Sequence, residues 1–345
     1  MKNSNPVSLE TDITTFPSLE SAVDYYYAYY LEHGYPNYDI KDYDPEKELR
    51  NLKQVQPESI IVDGVARQSM LGCGFLWCFF PHWIEVETAS GTSLAENWKD
   101  EEKLRKLIEK NVVYCVKHER SRWSRNRIRQ NAKVYLSKQS PSNFRPTVAK
   151  ALYDIYGKSG AVYDPCGGWG GRMFGFLAST CREYVCCDPS EKTYKGLVAL
   201  RDTYQSEQKS VSVIHGCQED YTPAPGHFDL VFTSPPYFDN ERYSTEETQS
   251  YIRWKTLPEW CNGFLRPLIQ NAYTGLKADG TFILNIANTK NAENLEHMSV
   301  ELAWKTGFVM VDEIKLALSS ISGKGTKYEP MFVFKRGIKS KQQAT

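Results

Sequence analysis

The chain has 345 residues, a formal net charge of +0 from 42 Lys+Arg against 42 Asp+Glu, and a mean hydropathy of -0.52. That length accommodates one large α/β domain with a smaller second region, and the balanced charge argues against a protein that holds nucleic acid through bulk basicity. No run approaches the roughly 18 apolar residues of a membrane span, and Met1 to Pro6 lacks the apolar core of a signal peptide; a cytoplasmic protein with no membrane partner is expected.

The first elements are aromatic. Tyr25, Tyr26, Tyr27, Tyr29, Tyr30, Tyr35 and Tyr38 crowd one segment, and the acids that follow, Asp39 to Glu48, repel phosphates, so the tyrosines are read as packing of one helix. Met70 to Phe80, with Trp77, Phe79 and Phe80, reads as a buried strand or strand pair. Next comes a basic segment: Lys117, Arg120, Arg122, Arg125, Arg127, Arg129 and Lys133, with Glu119 as its one acid. Such a run neutralises phosphates while Asn, Gln and Arg reach base edges, and the spacing of Arg122, Arg125 and Arg129 aligns them on one helical face. The polar, proline-marked stretch Ser137 to Pro141 closes this region.

Ser142-Asn143-Phe144-Arg145-Pro146 then leads into a helical stretch ending at Tyr156. Strands are expected at about 161 to 163, 184 to 187, 211 to 214, 229 to 233 and 281 to 286, with helices between, the alternation of a doubly wound sheet. The first strand runs into Asp164-Pro165-Cys166-Gly167-Gly168-Trp169-Gly170-Gly171 and then a helix. Glycines at a strand-to-helix turn let a nucleotide-like ligand approach the backbone, and the helix start offers free N–H groups. The second strand ends in Asp188, about 20 residues past the turn, where an acid binds ribose hydroxyls in Rossmann-like sheets. The third leads to Cys217-Gln218-Glu219-Asp220, and the fourth to Thr233-Ser234-Pro235-Pro236-Tyr237-Phe238.

In that last stretch two prolines fix φ and remove two backbone donors, leaving carbonyls and the Ser234 hydroxyl as acceptors, a match for an –NH2 group. Tyr237 offers a flat face for a base. The connection Asp239 to Leu257 is long for its type and holds Arg242, Tyr243, Arg253 and Trp254. A final pair near 308 to 315 and 330 to 335 would form an antiparallel hairpin, and Lys339 to Thr345 is expected to fray.

Over roughly residues 140 to 336 these motifs resemble the S-adenosylmethionine-dependent DNA amino-methyltransferases, which methylate cytosine N4 or adenine N6. The Ser-Pro-Pro-Tyr run is similar to their catalytic motif, which assigns catalysis to Ser234, Pro235, Pro236 and Tyr237. The resemblance implies a Rossmann-like α/β methyltransferase sheet with a C-terminal antiparallel hairpin. It implies S-adenosylmethionine held by Phe144, Asp164, Cys166, Gly167, Gly168, Gly170, Asp188 and, as a choice over Gln218 or Asp220, Glu219. Where the family more often has Phe, this chain has Cys166, and Trp169 among the glycines is unusual. Residues 276 to 286 look like the family's helix, glycine turn and fifth strand.

The expected division is an N-terminal region 1 to 137 with a nucleic-acid recognition role, a catalytic domain 138 to 338 and the tail 339 to 345. Duplex DNA with a flipped base is the expected partner, contacted by Arg122, Arg125, Arg129 and Arg242. The chemistry implied is direct methyl transfer without a covalent enzyme intermediate: hydrogen bonds from the amino group to Ser234 Oγ and the Pro235 carbonyl localise its lone pair, and positioning does most of the work. Ser at the first motif position favours cytosine N4; adenine N6, an RNA base amine, and a DNA-binding protein that has lost catalysis are the alternatives. The nine cysteines are expected to be reduced and mostly buried, no metal is expected because Cys73 and Cys78 lack completing ligands, and Cys166 is not expected to act as a nucleophile.

Overall fold

A computed structural model of the chain describes residues 12–67, 69–88, 91–118, 123–137, 141–204, 208–318 and 326–337. In chain order the strands are β1 (Ile61–Val62), β2 (Val65–Ala66), β3 (Glu87–Thr88), β4 (Ala161–Asp164), β5 (Glu183–Asp188), β6 (Ser210–His215), β7 (Phe228–Thr233), β8 (Glu241–Arg242), β9 (Leu276–Asn285), β10 (Phe308–Ala317) and β11 (Tyr328–Arg336). The chain divides into two compact units, one of residues 1–37, 82–142 and 241–243, the other of residues 38–81, 143–240 and 244–345. No helix among the described residues is long and apolar enough to cross a membrane.

The sheet unit carries strands in the order β1-β2-β10-β11-β9-β7-β4-β5-β6. β6, β5, β4, β7 and β9 run parallel, and β11 pairs antiparallel with both β9 and β10. This is the expected doubly wound α/β sheet with its C-terminal antiparallel hairpin. The chain builds outward from β4 through β5 to β6 and then returns to place β7 on the other side of β4. The strand order therefore reverses between β4 and β7, and open α/β sheets bind ligands beyond the strand ends at such a point.

Burial explains the strand patterns. β4 and β7 are buried along their whole length, which suits parallel strands covered on both faces. On one side Phe282, Phe308 and Phe334 pack together, with the Phe282 and Phe334 rings 5.5 Å apart; each such ring contributes about 1.5–3 kcal/mol by leaving water. On the other, the helices Pro146–Tyr156 and Gly171–Ala178 cross closely at Gly175, where a Cβ would press on the Pro146 carbonyl and Ala149.

Three expectations change. β9 starts at Leu276, not 281, because its ladder with β7 skips from Phe228↔Leu276 to Leu230↔Thr281 and so absorbs the glycine turn. Residues 70 to 80 are helical at Cys73–Leu76, entered through Gly72 at φ +78, since an unbroken apolar run suits a buried helix as well as a strand. The unit boundary also lies elsewhere than 137/138. Residues 38–81 join the sheet unit: β2 pairs with β10, and Phe75 packs 5.5 Å from Phe174.

The other unit is helical, with Leu19–His33, Glu101–Lys117 and Arg125–Tyr135, and a two-residue ladder of β3 with β8. Tyr26 and Tyr30 are buried; Tyr26 stacks on Trp123 with centroids 3.9 Å apart, and the Trp123 indole N–H donates to the Tyr30 hydroxyl at 2.9 Å. Tyr26 and Tyr30 thus pack one helix, as read from the sequence, whereas Tyr35 and Tyr38 lie beyond its end.

Candidate active site

The end of β4 and the end of β5 meet through the glycine turn. Gly167 N–H donates to the Cys187 carbonyl at 2.8 Å, and Gly168 N–H donates to Asp188 Oδ2 at 3.0 Å. Ser190 N–H supplies the second oxygen, Oδ1, at 3.1 Å. Asp188 is thereby fixed with each oxygen keeping lone-pair capacity, and burial pushes its carboxyl up to about 7. The glycines differ in purpose. A Cβ on Gly170 would lie 2.8 Å from Leu200 Cδ2, and one on Gly171 would run into the Phe144 carbonyl, so these two permit packing. Gly168, at φ +56, is a glycine for its backbone: a Cβ there would make only ordinary contact, 3.7 Å from Arg172 Nη2, but L side chains rarely adopt that conformation. Backbone N–H groups and the Asp188 carboxylate meet at this turn.

Asp164 turns inward. It is fully buried, with Oδ2 accepting from Arg172 Nε at 2.8 Å and from the Tyr184 hydroxyl at 2.6 Å, and Oδ1 accepting from Cys166 N–H at 3.3 Å. Its expected place as a cofactor ligand is corrected to that of an internal brace, since its oxygens are already occupied inside the fold. Arg172, which the sequence reading passed over, completes the brace by donating from Nη2 to the Cys166 carbonyl. The signal for it was an arginine on an otherwise apolar helix start, eight residues after the acid. Cys166 lies within the turn, and desolvation pushes its thiol well up, away from nucleophilic behaviour. None of the nine cysteines forms a disulfide. Phe144 is half-buried, its ring 5.3 Å from Phe232, and the neighbouring Asn143 Nδ2 donates to the Trp169 carbonyl at 2.6 Å, which stitches this segment to the glycine turn.

Beyond β6, Glu219 is held by Arg253, whose Nη1 lies 2.5 Å from Oε1 and 2.9 Å from Asp220 Oδ2. Burial pushes the Glu219 carboxyl up to about 6. Cys217, Glu219 and Asp220 place donor atoms within 4.8 Å of one another, but the guanidinium already compensates both carboxylates. Gln218 donates to the Phe264 carbonyl at 2.9 Å and leaves a buried Oε1 without a partner.

At the end of β7 the parallel pairing Thr233↔Leu284 sets Asn285 beside Ser234. The Ser234 hydroxyl donates to Asn285 Oδ1 at 3.1 Å, and Asn285 Nδ2 donates to the Pro330 carbonyl at 3.0 Å. Tyr237 packs its ring against the core and donates its hydroxyl to Glu329 Oε2 at 3.3 Å; burial raises the Glu329 carboxyl above the usual carboxylate range. Phe238 sits at φ +59, a strained position for a bulky residue, with its side chain buried 6.0 Å from Trp260. Neighbouring residues of β11, Glu329 and Pro330, therefore hold both ends of the Ser-Pro-Pro-Tyr turn. Sequence reasoning missed Asn285 and Glu329.

The basic segment is in the helical unit and is only partly as expected. Arg122 lies outside the described residues. Arg125 is exposed at the start of its helix. Arg129 is 3% exposed and spends its guanidinium on the Pro36 carbonyl at 2.6 Å, the Asn37 carbonyl at 2.7 Å and Asn126 Oδ1 at 2.8 Å, so its expected phosphate contact is corrected to an internal tie. Arg127 covers the Tyr114 ring at 4.1 Å, and Arg242 is exposed and pairs with Glu87 at 3.2 Å.

No protein-family model and no curated protein matches the sequence. Among solved structures the chain is similar to TYW2 of M. jannaschii in complex with AdoMet, at 13% identity over 59% of this chain and 80% of that one, TM-score 0.39. It is similar to TrmN of Thermus thermophilus at 15% identity over 55% of this chain and 48% of that one, TM-score 0.37. It is also similar to the 1,6-didemethyltoxoflavin-N1-methyltransferase of Burkholderia thailandensis at 14% identity over 56% of this chain and 78% of that one, TM-score 0.39.

Proposed function

We propose that the chain transfers a methyl group from S-adenosylmethionine to the exocyclic amino group of a nucleic-acid base, with cytosine N4 in DNA the favoured target. The observation that carries this reading is the polarity of the Ser-Pro-Pro-Tyr turn. Pro235 and Pro236 have no N–H, and the Ser234 O–H is committed to Asn285 Oδ1, so the turn offers acceptors to whatever enters it. An amino group, with two donors, is the base substituent that fits.

The residues around Gly168 fit the cofactor. Asp188 keeps lone pairs for ribose hydroxyls, and Gly168, with no side chain, permits close approach to the backbone. Gly168 follows the carboxyl end of β4, one of the two strands flanking the reversal of strand order, and Asp188 ends the adjacent β5. When bound, S-adenosylmethionine supplies an electrophilic methyl group on a sulfonium.

The chain's own contribution is binding and orientation. Ser234 Oγ and the Pro235 carbonyl accept the two amino N–H groups, which turns the nitrogen lone pair out of conjugation with the ring. Tyr237 supplies a stacking face for a base flipped out of its duplex. Serine at the first motif position favours cytosine, through the resemblance to cytosine-N4 enzymes. The test is transfer of labelled methyl to unmethylated DNA and to unmethylated RNA, side by side with Ser234→Ala. Transfer to DNA that falls sharply in the variant supports the reading; transfer to RNA alone reassigns the substrate, and no transfer to either rejects catalysis.

A further inference from the structure

We infer that Asn285 is the positioning residue that makes Ser234 an acceptor and so excludes bases that present an oxo group at the reacting position. The inference rests on the proposed amino-methyl transfer. Three links carry it, all in the sheet unit. The Pro330 carbonyl can only accept, so the Asn285 side chain must turn its Nδ2 toward it, at 3.0 Å. That orientation aims Oδ1 at Ser234, 3.1 Å away, and an amide oxygen can only accept. Ser234 must therefore donate, and its lone pairs alone remain for a substrate. Asn285 is 1% exposed, so water does not offer the amide an alternative partner. A serine hydroxyl left to rotate would donate as readily as accept and would greet the oxo group of uracil or thymine as well as the amine of cytosine. Held by Asn285, it opposes the oxo group, acceptor against acceptor, in a turn whose prolines supply no compensating donor.

The chain of bonds also explains why a residue on β9 and a carbonyl on β11 bear on a turn after β7. The parallel register fixes Asn285 one residue beyond the Leu284 partner of Thr233, and the antiparallel register pairs Asn285 with Met331, next to Pro330. Both ladders must be in place for the relay to exist.

The test is a double-mutant cycle of Asn285→Leu with Ser234→Ala on methyl transfer to whichever unmethylated nucleic acid the wild type accepts, with S-adenosylmethionine affinity measured in all four proteins. If Asn285 acts through Ser234, Asn285→Leu lowers turnover about tenfold or more in the wild type, the scale of one hydrogen bond, and adds little in the Ser234→Ala background, at constant cofactor affinity. Equal fold-losses in both backgrounds would overturn the inference. If Asn285→Leu does not fold, Asn285→Asp takes its place. Its neutral carboxyl can donate to Pro330 and accept from Ser234, so its turnover should fall relative to wild type as rising pH ionises it, and a profile parallel to wild type counts against the relay. A neutron structure of the deuterated protein decides the point without activity: deuterium on Ser234 Oγ directed at Asn285 Oδ1 supports it, and deuterium directed elsewhere overturns it. Absence of methyl transfer by the wild type would defeat the functional reading while the neutron map still settles the hydroxyl.

Discussion

Arg172 and Asp164 form an ion pair inside the sheet unit, Nε to Oδ2 at 2.8 Å, with side-chain exposures of 5% and 0%. One guanidinium joins the end of β4 to the carbonyl of Cys166 in the turn that follows. The glycine turn is therefore braced by a buried charge pair.

Breaking that pair should cost folding stability. Asp164→Asn leaves the Arg172 charge buried without its counter-ion, and loss of one partner of a buried pair costs about 3–5 kcal/mol. Urea unfolding at neutral pH should show a lower midpoint, with cofactor affinity changing only as far as the fold loosens. An unchanged midpoint with cofactor binding abolished would return Asp164 to the role of direct ligand.

Asp188 ties cofactor affinity to pH. Its carboxyl is pushed up from 3.8 to about 7 by burial, so the free protein takes up a proton there as pH falls through neutrality. Ribose hydroxyls hydrogen-bond best to the ionised form, so S-adenosylmethionine affinity should weaken as pH falls from 8 to 6, approaching tenfold per unit below 7. Asp188→Asn should bind more weakly at pH 8, by about 1.5–3 kcal/mol, and show a flat profile. For stability the sign is reversed from an ordinary paired acid: a raised carboxyl penalises the fold as pH rises from 3.8 to 7, so unliganded Asp188→Asn should be the more stable protein at pH 8. Calorimetry and thermal unfolding at the two pH values measure both.

Tyr237 has two separable parts. Its ring is the proposed stacking face, worth about 1–3 kcal/mol per base, and its hydroxyl bonds Glu329. Tyr237→Ala should depress base capture and turnover together. Tyr237→Phe keeps the ring and should be milder, costing about 0.5–1.5 kcal/mol of stability for the lost bond. Equal damage from the two substitutions, read as kcat/KM, would assign the work to the hydroxyl and its Glu329 partner.

The arginines of the basic segment should also separate. Arg129→Gln should destabilise the helical unit by about 1.5–3 kcal/mol, since it abandons buried carbonyls at Pro36 and Asn37, and should leave the salt dependence of DNA binding as it was. Arg125→Gln, at an exposed position, should cost less stability than Arg129→Gln and reduce the log–log salt slope by about 0.9 if it neutralises one phosphate. The reverse pattern would make Arg129 the contact.

What was legible in the sequence follows a physical divide. The buried strands, the glycine turn, Asp188 and the Ser-Pro-Pro-Tyr turn announce themselves through local composition and order, which is all a linear pattern records. Asn285 lies 51 residues from Ser234, and Arg129 lies 93 and 92 residues from the carbonyls it holds; such partners are set by strand register and helix packing. The pairing of β2 with β10, which draws residues 38–81 into the sheet unit, is of the same kind. The spacing of Arg125 and Arg129 says nothing of which side chain is covered: Arg125 is exposed, whereas Arg129 is buried against carbonyls far away in the chain. Asp164 was found for its position before the glycines, while its direction, into the protein, depended on Arg172 and Tyr184.

The central claim, methyl transfer to a base amine, is tested most directly by chemical identification of the product. The full chain is incubated with methyl-labelled S-adenosylmethionine and unmethylated DNA or RNA, the nucleic acid is digested to nucleosides, and the labelled nucleoside is identified by mass and fragmentation. Label on the exocyclic nitrogen of cytosine is the expected result, with adenine N6 still within the amino-group account. Label on a ring carbon or a ribose hydroxyl, or no label in nucleic acid at all, would contradict it.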